Sequence, residues 1–358
     1  MSNSNASQQK WHNKVSHVSQ LGGIETSVLD NGLGRGSRIA WINTGSGLRY
    51  KILLDRGLDI ADAFYNQHGL AWVSHTGVTP PHPFIYHGLD WLKTFTGGLL
   101  TTCGLSHVGG PEKDDYGERG LHGEIGNTPA EVISIIQPDI AAGQLEMSIT
   151  ASMLQTKVFG PTLELRRTIS STLGETTIRI RDEVINRGNT PAPHMLLYHF
   201  NLGYPLADEG ADIVWKGQWQ TRHKNLEYKI FNDQHNFRKC PPPLKMHNGT
   251  GEEVAFIDIE ADDKGMATCG LHNADIGIAL AFRFKKEQLP WLINWQHWGE
   301  GEYVTGIEPA THPPIGQAAA RANNTLIFIE PGESNIYDVE LEVLTQKDAL
   351  DAFLKYGG

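Results

Sequence analysis

Read from its polar residues, the chain offers one carboxylate in an unusual setting. The run Trp295-Gln296-His297-Trp298-Gly299 is followed by Glu302-Tyr303-Val304-Thr305-Gly306-Ile307-Glu308, and Pro309 stops it at once. Most of the 41 acidic residues are expected to be solvated surface charges. Glu308 differs in its company, because Trp291, Trp295 and Trp298 crowd the preceding segment, and aromatic walls suit sugar-sized ligands. Glu308 is therefore read as a general base, with His297 and Trp298 as substrate contacts.

Two further stretches carry polar groups that strand patterning does not require. The glycine-dense loop from Arg119 to Asn127 brings the backbone close to a partner while presenting Arg119 and His122. A loop histidine is ordinarily a surface or hydrogen-bonded residue, and the flanking glycines are what single this one out. In Met195 to Pro205, a strand would set Leu197, His199 and Asn201 on one face and Tyr198 and Phe200 on the other. A histidine and an amide on one face of an apolar strand are costly to bury without partners. His199 is thus either a satisfied core group or a proton donor near neutral pH. An imidazole, a carboxylate and a guanidinium together suit proton transfer at a carbon bearing oxygen.

The elements that must position these groups read as strands. Apolar residues alternate with period two at Leu145–Met153, Leu163–Leu173, Thr177–Val184, Ile276–Phe284 and Tyr337–Val343, leaving one polar face each. Such strands form antiparallel sheets packed core to core. Helical spacing is confined to the tail, where Thr345 is placed to cap Gln346–Leu354. The proline-bearing loops Thr76–Tyr86 and Asn236–Gly251 are candidate rims of a binding site. The expected architecture is all-β, one domain over residues 1–358, with residues 1–10 a loose terminus.

Composition narrows the partner. A net charge of −11 argues against nucleic acid or an acidic membrane surface, and no apolar run is long enough to span a bilayer. Three scattered cysteines, with no C-x-x-C pair and no apolar leader, point to a reducing, cytoplasmic setting. The stretches around His107, His122, His199 and His297 contain no paired metal-ligand spacing, so no metal or cofactor is expected. The expected partner is a small-molecule sugar.

Taken in order, these motifs resemble the aldose 1-epimerase, or galactose mutarotase-like, superfamily, and more closely a bacterial branch of it classed as a domain of unknown function. Leu121-His122-Gly123 is similar to the family's L-H-G loop, Phe200-Asn201-Leu202 to its Y-F-N-L strand, and Ile307-Glu308-Pro309 to its L-E-P base motif. Arg56, within Asp55-Arg56-Gly57-Leu58-Asp59-Ile60, stands where the family has an early substrate-binding arginine, and Gly98–Gly104 and Arg119–Asn127 are similar to the branch. The resemblance runs from about Arg35 to Val343. It implies a β-supersandwich with an open sugar cleft and a sugar isomerase interconverting anomers by acid–base ring opening. Glu308 would be the base, His199 the acid, and His122 and Arg56 sugar ligands. Beside the resemblance, Arg119, Asn201, His297 and Trp298 are read as further substrate contacts. One departure matters: Leu197 occupies the place of the family's acid histidine, and His199 lies two residues on, roughly 6.5 Å further along a strand. Either His199 serves a differently seated sugar, or His122 is the acid. A carbohydrate-binding protein of the same fold without turnover is the alternative.

Overall fold

The computed structural model describes Trp11 and residues 13–222, 230–231 and 237–357, so the expected loose terminus and Asn236 lie outside the described residues. Two large antiparallel sheets account for most of the fold. The eight-stranded sheet runs in the order Asp212–Val214, Met266–Asn273, Ile278–Lys285, Ser334–Leu344, Thr177–Asn186, Thr162–Thr172, Glu146–Thr156, Glu131–Ile136. The seven-stranded sheet runs Gly217–Thr221, Glu253–Ile259, Trp291–Gly299, Glu302–Ala310, Ala192–Gly203, Ile327–Ile329, with Thr101–Leu105 also paired to Ala192–Gly203. A five-stranded meander, Gly23–Val28 to His68–Gly69, precedes them.

The period-two segments are these strands. Met147, Ile149, Ala151 and Met153 are buried on one face of Glu146–Thr156, and Tyr337, Val339, Leu341 and Val343 on one face of Ser334–Leu344. Both sets join one hydrophobic cluster with Tyr198, Phe200, Phe282 and Trp298. Ile276 stands outside its predicted strand, because the turn closed by Gly277 N–H on the Ala274 carbonyl holds it back until Ile278. The terminal helix spans Lys347–Gly357 and docks Phe353, Leu350 and Leu354 against Val214, Ala279 and Ala281. A second short helix, Gln317–Ala322, has no periodic signal; its Ala318 N–H is received by the Glu112 carboxylate.

Between the sheets lies a buried charge cluster. Arg167 donates two bonds to Asp182 at 2.8 and 2.6 Å, and others to Asp59, Thr102 Oγ1 and the Gly57 carbonyl. Tyr198 Oη also donates to Asp182, at 2.7 Å. Tyr198 and His199 are consecutive on Ala192–Gly203, so this cluster anchors the back of the strand whose front carries the imidazole.

Candidate active site

Three strands of the seven-stranded sheet build the floor. The register that pairs Leu197 with Ala310 and Phe200 with Ile307 sets His199 opposite Glu308 on adjacent antiparallel strands. His199 Nε2 lies 3.4 Å from Glu308 Oε1. On the next strand Ile293 pairs with Glu308, and Ile293, Trp295 and His297 follow one another on the same face. His199, Glu308, Ile293, Trp295 and His297 all line a cavity of about 590 Å³, a volume typical of small-molecule sites.

Aromatic rings surround the pair. Trp91 stacks on Phe95 at 4.2 Å, Phe95 and Trp295 stand edge-on to His199 at 5.2 and 5.4 Å, and Trp72 closes the ring at 6.2 Å from Trp295. His122 meets His199 edge-on at 6.0 Å. It occupies a left-handed backbone, φ +57°, pinned because its N–H bonds the Gly109 carbonyl and its own carbonyl receives Gly104 N–H. Holding a non-glycine residue there costs free energy that the surrounding structure must over-determine. Its Nδ1 finds no hydrogen-bond partner among the described residues, nor does Glu308 Oε1.

A second carboxylate faces the cavity from the loop before Glu253–Ile259. Glu252 forms an ion pair with Arg222 and receives the Trp295 indole N–H at 2.8 Å. His297 donates Nδ1–H to the Gly251 carbonyl at 2.5 Å, which turns Nε2 toward Glu302 at 3.5 Å.

These surroundings shift the titrating groups. Burial, reinforced by Glu252 and only partly offset by Arg222, raises the Glu308 pKa well above the usual carboxylate range. Burial lowers that of His199 to about 4, against the smaller opposing effects of Asn201 and Glu252. Burial, with His199 nearby, likewise pushes His122 well below the ordinary value. Burial thus works toward the neutral form of each group.

Four expected contacts stand elsewhere. Trp298 is fully buried in the core, its Nε1–H bonded to Gln296 Oε1 at 3.0 Å, because consecutive strand residues cannot share a face with His297. Trp295, two residues earlier, takes the place at the cavity. Arg56 does not line the cavity; its guanidinium is consumed by the Gly126 and Thr94 carbonyls and Thr79 Oγ1, at 2.7, 2.9 and 2.6 Å. It braces the segments that carry His122, Phe95 and Thr76. Arg119 is taken up by Glu112 and Asp114, both at 2.6 Å, and holds the hairpin leading to His122. Asn201 shares the face of His199 but lies one pleat further along the strand, outside the cavity lining, donating to the Gly98 and His199 carbonyls at 3.0 and 2.9 Å. Trp72, Trp91, Phe95, Arg222 and Glu252 also line the cavity and belong to none of the motifs in the sequence. Trp295 aside, which shares parity with His297, their positions depend on loops and registers that carry no local signal.

Residues 34–343 match a family described as Domain of unknown function (DUF4432). The chain belongs to that family. No curated protein matches its sequence. Among solved structures, this DUF4432 chain is similar to a candidate aldose 1-epimerase of Klebsiella pneumoniae, at 23% identity and TM-score 0.82, covering 94% of this chain and 89% of the other. It is also similar to a galactose mutarotase-like protein of Clostridium acetobutylicum, at 13% identity and TM-score 0.60, covering 90% and 98%. A galactose 1-epimerase of Lactobacillus acidophilus is similar at 11% identity and TM-score 0.57, covering 90% and 98%. The DUF4432 chain thus has the galactose mutarotase-like β-sandwich fold. Among its described residues, no helix is long and apolar enough to cross a membrane.

Proposed function

We propose that the cavity binds a reducing sugar and interconverts its anomers, with Glu308 and His199 as the acid–base pair. The observation that carries this reading is the contact of the two groups, 3.4 Å apart, on one aromatic-walled floor. Ring opening removes a proton from the anomeric hydroxyl and delivers one to the ring oxygen, while the bond from carbon 1 to the ring oxygen breaks. Both oxygens sit on one carbon, so two neighbouring proton-carrying groups suit them. The pair begins and ends with one proton, and reclosure on the other face of the carbonyl gives the second anomer.

The charge states favour a division of labour opposite to the one expected from the family. Burial favours the protonated carboxyl of Glu308, which can donate, and the neutral imidazole of His199, which can accept. His122, 6.0 Å from His199 between ring centres, is suited to hold a hydroxyl. Exchange spectroscopy of anomers over a panel of aldoses tests the proposal; exchange no faster with the protein than without it removes it.

The pH dependence follows from the one-proton requirement. Activity is expected to fall below about pH 4, where His199 takes up a second proton, and to fall again only where Glu308, raised far above the usual range, gives up its own. Glu252 raises both values. Glu252→Gln is therefore expected to move both limbs of the pH–rate profile to lower pH, and limbs that stay in place would contradict the assignment.

Gly306 sets the reach of the carboxyl group. A Cβ there would come within 2.2 Å of Glu308 Oε1 and 3.2 Å of Trp295 Cβ. Gly306→Ala is expected to turn the carboxyl away from His199 and lower kcat by about 10- to 100-fold, the scale of an ångström-sized misplacement. A kcat within twofold of wild type would show that Glu308 adapts without loss.

A further inference from the structure

The cavity lining is of two kinds. Its charged groups are Glu252 with Arg222, and Glu302 with His297 and His75. Leu89, Leu92, Pro111, Leu121 and Pro314 line it with apolar surface. Ring distances run from Trp91 to His199 at 6.1 Å and on to Trp295 at 5.4 Å, whose indole bonds Glu252 at 2.8 Å.

Leu89 and Leu92 come from a single short turn. In the 3₁₀ helix Asp90–Lys93, Trp91 turns inward onto Phe95, and Lys93 reaches back to pair with Asp90 at 2.6 Å. Three residues per turn bring Leu89 and Leu92 onto one face, where they are 58% and 49% exposed. Ile315, beside Pro314, is 37% exposed. Leucines held side by side at the opening, with so much surface in water, add little to packing but offer apolar area to a ligand. Trp91, between them, lies 4.9 Å from the His122 ring and 6.1 Å from the His199 ring. The apolar side thus continues directly from the catalytic floor.

We infer that Leu89, Leu92, Pro111 and Pro314 form a second subsite that takes an apolar group, alkyl or aryl, carried by the ligand whose hydroxylated ring sits at the charged side. The ring half of this inference rests on the sugar reading; the apolar half rests on the wall itself. The natural ligand is then amphiphilic: a reducing sugar with an apolar substituent away from its anomeric carbon.

Two probe series test it by quenching of tryptophan fluorescence, since Trp72, Trp91 and Trp295 all line the cavity. One is 6-O-acylglucoses from acetyl to octanoyl; the other is methyl to hexyl glucosides and galactosides, which place the tail at the opposite end of the ring. In the 6-O-acyl series affinity is expected to rise with each methylene, by up to about fourfold if fully buried, and by about 30-fold or more across the series; a rise confined to the glycosides would contradict the placement of the tail. The doubly exposed variant Leu89→Ser/Leu92→Ser, which leaves the core intact, is expected to flatten that rise. Affinity independent of chain length, a rise that persists in the double variant, or no quenching by any member would overturn the subsite. A chain-length dependence lost in the double variant, without anomer exchange for any sugar, would instead retain the subsite and remove the isomerase reading.

Discussion

Glu308→Gln is expected to reduce anomer exchange by about 10²- to 10⁴-fold, the usual contribution of a positioned acid or base, while leaving the fold as stable as before. Both halves of this result follow from the same burial. Glu308 is only 2% exposed, and desolvation with Glu252 nearby favours its neutral carboxyl. Glutamine copies the size and the neutrality of that group but can neither release nor accept its proton. Removal of the proton carrier should therefore appear in kcat and not in the melting temperature. A variant that keeps exchange within a few-fold of wild type excludes Glu308 from the chemistry. One that loses activity only because it melts earlier makes the carboxyl a structural group. His199→Gln is expected to lose activity to a similar degree, and the double variant to lose little more, because groups that pass one proton act as a unit.

How far the site could be read in advance depended on how local its determinants are. Side-chain alternation is a property of neighbours in sequence, and it was enough to set His199 and Asn201 on one face and Tyr198 and Phe200 on the other. It also forbids His297 and Trp298 from facing one cavity, a constraint that applies to the sequence as written. Pairing of His199 with Glu308 is different in kind, because it follows from a register between strands more than a hundred residues apart. Family-like motifs bridged that gap for Glu308, His199 and His122. They did not do so for Arg56, whose guanidinium is saturated by peptide carbonyls and Thr79. A motif cannot tell an arginine that binds ligand hydroxyls from one that binds backbone oxygen. Glu252 had no signal, since its place at the cavity comes from a pairing in which Val254 faces Trp295.

The second large effect lies behind the site. Arg167→Met is expected to destabilise the protein by about 3–5 kcal/mol, the cost of leaving buried carboxylates without their counter-charge. Arg167 and Asp182 are both fully buried, and Asp59 is 4% exposed. Even with Arg167 beside it, burial raises the Asp59 pKa to about 6. Removing the guanidinium raises it further. A carboxyl whose folded pKa exceeds its unfolded value binds more protons when folded, so stability falls as pH rises from the unfolded pKa through the folded one. The deficit in Arg167→Met should accordingly be largest at neutral pH and shrink as acid neutralises Asp59. Urea unfolding at pH 5 and pH 8 measures both the size and the sign. A loss below about 1 kcal/mol at pH 8, or one that grows toward acid, would mean that the carboxylates find other partners. The cluster also reaches the proposed acid–base pair, because Asp182 accepts the Tyr198 hydroxyl and Tyr198 precedes His199 on the strand. In the fraction that remains folded, Arg167→Met is expected to lower kcat more than KM, as loss of support for an imidazole that must stay in register with Glu308.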